Sequence, residues 1–176
     1  GQLPFITQDG VAMNESSAIL RYLCRKYPSL NQFYGETLEQ QQEIDAMLDW
    51  NATMFRPHMI SKIAPVVAKG VYKIEVLPPL LQAMNDCGIE RMHTALAALE
   101  ANLVRKGATF LNGDKPTIAD HQIYAEFGDV FYCGLDFAQY PKVTAWHEAC
   151  RASAGIKEVH EDWDKIVPGF KAALGL

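Results

Sequence analysis

Apolar and polar residues alternate at short range only at the start of the chain. Leu3–Thr7 and Val11–Met13 are short apolar runs on either side of Gln8-Asp9-Gly10. An Asp-Gly pair between two such runs predicts a β-hairpin. A helix is expected to follow. Asn14 suits its N-cap, Glu15 its first turn, and Ala18, Ile19, Tyr22 and Leu23 share one face up to a stop at Pro28. Residues 28–36 read as a polar linker carrying Pro28, Ser29, Asn31 and Gly35.

Beyond that point the apolar period is helical throughout. One long helix is predicted from Thr37 to about Tyr72, bent at Pro57 and Pro65. Pro78-Pro79 marks a restart. From there Leu81, Met84, Ile89, Met92, Leu96, Leu99 and Leu103 form a stripe up to Gly107. The turn Gly113-Asp114-Lys115-Pro116 precedes a helix from Ile118 to about Tyr132. Pro141 opens another to about Ala152, and Ile156–Leu174 is expected to hold one or two short helices. No strand signal follows residue 14. Two strands and one helix do not make a stable sheet domain. The fold class is therefore mainly α, and residues 1–28 read as the end of a sheet domain whose beginning is absent.

Composition narrows the function classes. The chain has 176 residues, a net charge of −5 and 49% hydrophobic residues, the profile of an ordinary globular protein. Its 16 basic residues are scattered, so no nucleic-acid surface is expected. No apolar run is long enough for a membrane span. Cys24, Cys87, Cys133 and Cys150 form no C-x-x-C pair and read as buried small hydrophobes. The five histidines show no i, i+4 pair, so no metal site is expected. No signal peptide is recognisable, although the chain begins at Gly1 without a methionine.

Two motifs carry candidate chemistry. In Gly1-Gln2-Leu3-Pro4, a proline at a strand start restricts the residue before it. A cis Leu3–Pro4 bond would turn the Leu3 backbone towards an extended ligand; a plain loop entering an edge strand explains the same residues. In Asn14-Glu15-Ser16-Ser17-Ala18-Ile19 a strand runs straight into a helix start. The first-turn amides and a serine hydroxyl suit a carboxylate, and Glu15 suits a neighbouring ammonium. Together these describe an α-amino-acid end group. Simple helix capping accounts for Asn14 and the serines equally.

Taken in order, G-Q-L-P, the D-G hairpin and E-S-S-A-I-L-R-Y-L ending at Y-P resemble the second half of the thioredoxin-like domain of glutathione transferases. The resemblance continues in Thr117-Ile118-Ala119-Asp120, similar to the family's capping box, and in Tyr140-Pro141-Lys142-Val143-x-x-Trp146. It implies a partial glutathione-binding β-β-α unit at 1–28, a linker at 29–36 and an all-helical C-terminal domain at 37–176. It also implies site residues. Gln2, Leu3, Pro4, Glu15 and Ser16 would bind glutathione, with Leu3 pairing its backbone to the cysteinyl unit and Ser16 holding the γ-glutamyl end. Thr53, Arg56, Ile60 and Ala64 share a helix face, and Arg56 and Ile60 would border the site of the hydrophobic co-substrate. Thr117 and Asp120 would serve capping only, at about 0.5–2 kcal/mol each.

The family uses glutathione as substrate and needs no cofactor. It activates the thiol with a Ser, Tyr or Cys on the first strand, a residue expected upstream of Gly1. G-Q-L-P is sigma-like, whereas E-S-S-A-I and the helical part are theta-like. The resemblance implies a cytoplasmic homodimer that conjugates glutathione to small electrophiles for detoxification. A non-catalytic transferase-like module for protein assembly is the alternative.

Overall fold

The computed structural model describes residues 4–58, 68, 73–75, 77–133 and 137–174, excepting side chains at 84, 85, 87, 89, 128–133, 170, 173 and 174. The order of elements is two strands, β1 (Phe5–Gln8) and β2 (Val11–Asn14), then helices. These are α1 (Ser16–Lys26), α2 (Leu38–Trp50), α3 (Pro78–Lys106), α4 (Ile118–Cys133), α5 (Pro141–Ala152) and α6 (Ile156–Leu174).

The hairpin has the predicted turn. β1 and β2 pair antiparallel in the register Phe5 with Asn14 and Gln8 with Val11. Asp9 and Gly10 both have positive φ, 52° and 78°, the backbone of a type I′ turn. Lys26 of α1 reaches back to Asp9 at 2.7 Å and ties the turn to the helix end.

Part of the segment read as a polar linker is regular. Pro28–Phe33 is a short 3₁₀ helix with proline in its first turn. Its partly buried Leu30 and Phe33 pack against the core, which gives this segment its own reason to fold. α2 then begins at a full capping box. Thr37 accepts from the Gln40 amide, and the Gln40 side chain accepts from the Thr37 amide.

The predicted long helix is not regular. α2 passes at Trp50 into a π turn, Asn51–Phe55, and residues 56–58 resume helical geometry. The bend therefore begins before Pro57. Pro65 and Tyr72 lie outside the described residues. α3 opens on Pro78-Pro79 as expected and ends on Gly107, whose φ of 62° supplies the left-handed C-cap. Ile156–Leu174 is one helix that accommodates Pro168.

The core centres on α4, which packs against α1, α2, α5 and α6. Leu48, Phe55, Leu96, Ile123, Phe127 and Trp146 are among its fully buried side chains. Phe55 stacks on Phe127 at 5.0 Å, and Trp146 meets Phe127 edge-on at 5.4 Å. α1 is joined to α2 by a polar seam. Arg21 pairs with Asp45 at 2.6 Å, and Tyr34 donates to the same carboxylate at 2.9 Å. Cys24 and Cys150 are buried free thiols whose pKa burial pushes up, as expected of small core residues. Among the described residues, no helix is long and apolar enough to cross a membrane.

Candidate functional site

The junction between β2 and α1 is where chemistry can occur. Asn14 does not cap α1: it closes β2 opposite Phe5. The cap position falls to Glu15, at φ 66° and ψ 106°, and its side chain makes no capping hydrogen bond. That backbone conformation is costly for a residue with a Cβ, about 1–3 kcal/mol, and such residues gather at ligand sites. The first bond of the helix runs from the Ile19 amide to the Glu15 carbonyl at 2.9 Å. The amides of Ser16, Ser17 and Ala18 therefore precede the helical ladder, as donors for an anion.

An open cleft of about 420 Å³ lies over this junction. It is lined by Pro4, Asn14, Glu15, Ser16 and Ser17 on one side and by Ala52, Arg56 and Gln122 on the other. Arg56 pairs with the buried Glu126 of α4 at 2.7 Å, while 44% of its side chain stays exposed. The buried carboxylate aims the guanidinium and the exposed part remains accessible to a ligand. Gln122, also on α4 and buried, bridges both serines. Its Nε2 donates to Ser16 Oγ at 3.1 Å, and Ser17 Oγ donates to its Oε1 at 3.0 Å. A carboxylate of the ligand can thus meet first-turn amides and a hydroxyl, with Arg56 across the cleft. An ammonium can meet Glu15.

Four of the predicted residues, Pro4, Glu15, Ser16 and Arg56, line this one cleft. Gln2, Leu3 and Ile60 lie outside the described residues, as does Ala64. Thr53 does not join Arg56 there: its hydroxyl donates back to the Asp49 carbonyl at 2.8 Å, and Ala52 lines the cleft instead. The i to i+5 bonding of the π turn shifts the face that an unbroken α-helix would present. Ser17, Gln122 and Glu126 were missed. Their contacts span 70 to 106 positions along the chain, so no local spacing signals them.

Thr117 and Asp120 stand apart from the cleft, at the start of α4. Asp120 Oδ2 accepts from the Thr117 amide and hydroxyl, both at 2.8 Å, and Oδ1 accepts from the Leu111 amide and Trp146 Nε1, both at 2.9 Å. The Thr117 hydroxyl thus turns to the Asp120 carboxylate. The fully buried carboxylate holds the preceding loop, its own helix and α5 together, which is more than a capping box does.

Residues 68–162 match the family described as the C-terminal domain of glutathione S-transferase. The chain belongs to the glutathione S-transferase family. Its theta-class likeness appears in curated relatives. Glutathione S-transferase theta-1 of Bos taurus is 27% identical over 164 residues, covering 91% of this chain and 67% of the relative. The "probable glutathione S-transferase 5" of Caenorhabditis elegans is 28% identical, with 90% and 71% covered. The chain therefore spans about two thirds of the length of the curated relatives it matches. The transferase fold is also that of human glutathione S-transferase T1-1 in its apo form. That structure superposes with a TM-score of 0.79 at 23% identity, covering 98% of this chain and 75% of the other.

Proposed function

We propose that this chain supplies the γ-glutamyl half of a glutathione site in a transferase that conjugates the glutathione thiolate to small electrophiles. The observation that carries the reading is the cleft itself. A strained Glu15, the Ser16 hydroxyl, the first-turn amides of α1 and Arg56 border one open cleft of about 420 Å³. Glutathione ends in an α-amino acid at its γ-glutamyl unit, and these groups match its ammonium and carboxylate in sign and reach. Membership of the transferase family supports the same substrate.

In this reading residues 1–28 belong to a thioredoxin-like glutathione domain and residues 37–176 to the helical domain. Gln2, Leu3 and Pro4 flank the tripeptide's backbone, and Arg56 with Ile60 borders the electrophile. The Ser, Tyr or Cys that lowers the thiol pKa is supplied outside these 176 residues. Glutathione enters as substrate with no cofactor, and the working form is a cytoplasmic homodimer.

The test is calorimetric titration of the full-length protein with glutathione, together with conjugation of a generic aryl halide. Binding and turnover are expected, and absence of both would end the proposal. Ser16→Ala is expected to weaken glutathione binding by about 1.5–3 kcal/mol, the value of a charge-assisted hydrogen bond. Unchanged affinity would remove Ser16 from the site.

A further inference from the structure

We propose that Gln122 is a positioning residue that turns the Ser16 hydroxyl proton into the cleft and so makes this end of the site selective for a carboxylate. The inference rests on the glutathione reading and adds the residue that sets the polarity of its serine.

A serine hydroxyl has one proton and can present either that proton or its lone pairs to a ligand. What it presents depends on the neighbour it already bonds. Gln122 Nε2 donates to Ser16 Oγ, so a lone pair of Ser16 is used and its proton is left for the cleft. The other end of the same amide accepts the proton of Ser17. The chain of donors runs in one direction, from Ser17 through the Gln122 amide to Ser16 and on to an anion. With the amide reversed, Ser16 would give its proton to Oε1 and offer lone pairs outward, which suits an ammonium. The orientation of one side chain therefore decides the charge that this wall prefers.

Gln122 is well placed to impose that orientation. It is 8% exposed, so little water competes for its amide. It stands two positions after Asp120, whose carboxylate is locked by four hydrogen bonds at the start of α4. The side chain thus projects from a rigid helix turn onto the first turn of α1. Ser16 and Ser17 belong to the segment after the hairpin, and Gln122 to the central helix of the helical bundle. The same contact joins the two parts of the chain at the ligand site.

The test compares two ligands in the full-length protein: glutathione, and its analogue lacking only the α-carboxylate of the γ-glutamyl unit. Gln122→Ala frees the Ser16 hydroxyl, and about a tenfold loss of glutathione affinity is expected, with little change for the analogue. Gln122→Glu keeps the shape but can only accept, so it captures the Ser16 proton. A larger loss for glutathione is expected. Equal losses for both ligands with Gln122→Ala would mark a merely structural role and overturn the inference. Undiminished glutathione binding by Gln122→Glu would overturn it as well. If the unmodified protein binds neither ligand, the glutathione reading fails first and the inference falls with it.

Discussion

Two residues show how a single position can be read differently once its neighbours are known. Glu15 sits at φ 66°. Replacing it with glycine removes the steric conflict, while the unfolded chain gains freedom worth about 0.5–1 kcal/mol. The relief of about 1–3 kcal/mol matches or exceeds that cost, so Glu15→Gly is expected to leave the melting temperature unchanged or higher. In the proposed site the Glu15 carboxylate would meet the ammonium, so the variant's glutathione affinity is expected to fall. A large drop in melting temperature would show that Glu15 is a structural residue. Asp120 moves the other way. The motif T-x-x-D suggests a cap, but the carboxylate also holds the Leu111 amide and the Trp146 indole. Asp120→Ala would leave four buried donors without their acceptor. A loss of about 3–5 kcal/mol is expected in urea unfolding, beyond the range of a cap alone. A loss under about 1 kcal/mol would return Asp120 to simple capping.

At the scale of elements, the π turn between α2 and residues 56–58 decides which side chains face the cleft. Its first residue, Asn51, is fully buried, and among the described residues neither atom of its side-chain amide has a hydrogen-bond partner. An unpaired buried amide costs about 1–3 kcal/mol. Asn51→Leu, which keeps the branched side-chain skeleton and is apolar, is therefore expected to raise the melting temperature. A fall would show that the amide is held by bound water. The sequence signalled a bend in this helix through Pro57, yet the irregularity starts six residues earlier, where no proline stands. The π turn packs against α4 through Phe55 and Phe127, and a one-dimensional pattern does not carry that contact. The hairpin, the Pro-Pro start of α3 and the Gly107 stop were legible because each depends on the local backbone chemistry of one or two residues.

For the whole molecule, a buried histidine cluster makes stability depend on pH. His147 of α5 stacks on Tyr124 at 4.7 Å, and Tyr124 bonds His160 of α6 at 2.7 Å. Burial lowers the His147 pKa to about 4, with Arg151 and His160 adding to the shift. His160 is lowered too, first by burial. The folded state thus binds fewer protons than the unfolded chain below the ordinary histidine value. Stability is complete above about pH 6.5 and falls as the pH drops towards 4. Thermal melts between pH 7 and 4.5 are expected to show this slope, and His147→Gln is expected to flatten it. An unchanged slope in that variant would assign the dependence elsewhere. In the sequence His147 and His160 lie 13 positions apart, with no hint that α4, α5 and α6 bring them to one tyrosine.

By itself the sequence determined the all-helical character, the hairpin, most helix limits and, through the order of its motifs, the family. Through the same resemblance it also pointed to Glu15, Ser16 and Arg56 as candidate site residues. Tertiary structure alone decided that Glu15 takes the strained cap position, that Ala52 replaces Thr53 in the cleft, and that Gln122 and Glu126 support the two sides of the site. Those contacts join α1 and the helical turn at residues 56–58 to the central α4 across 70 to 106 residues of chain. A hydrogen bond of 3 Å between such distant positions is specified by how the helices pack, and no local period or composition encodes it.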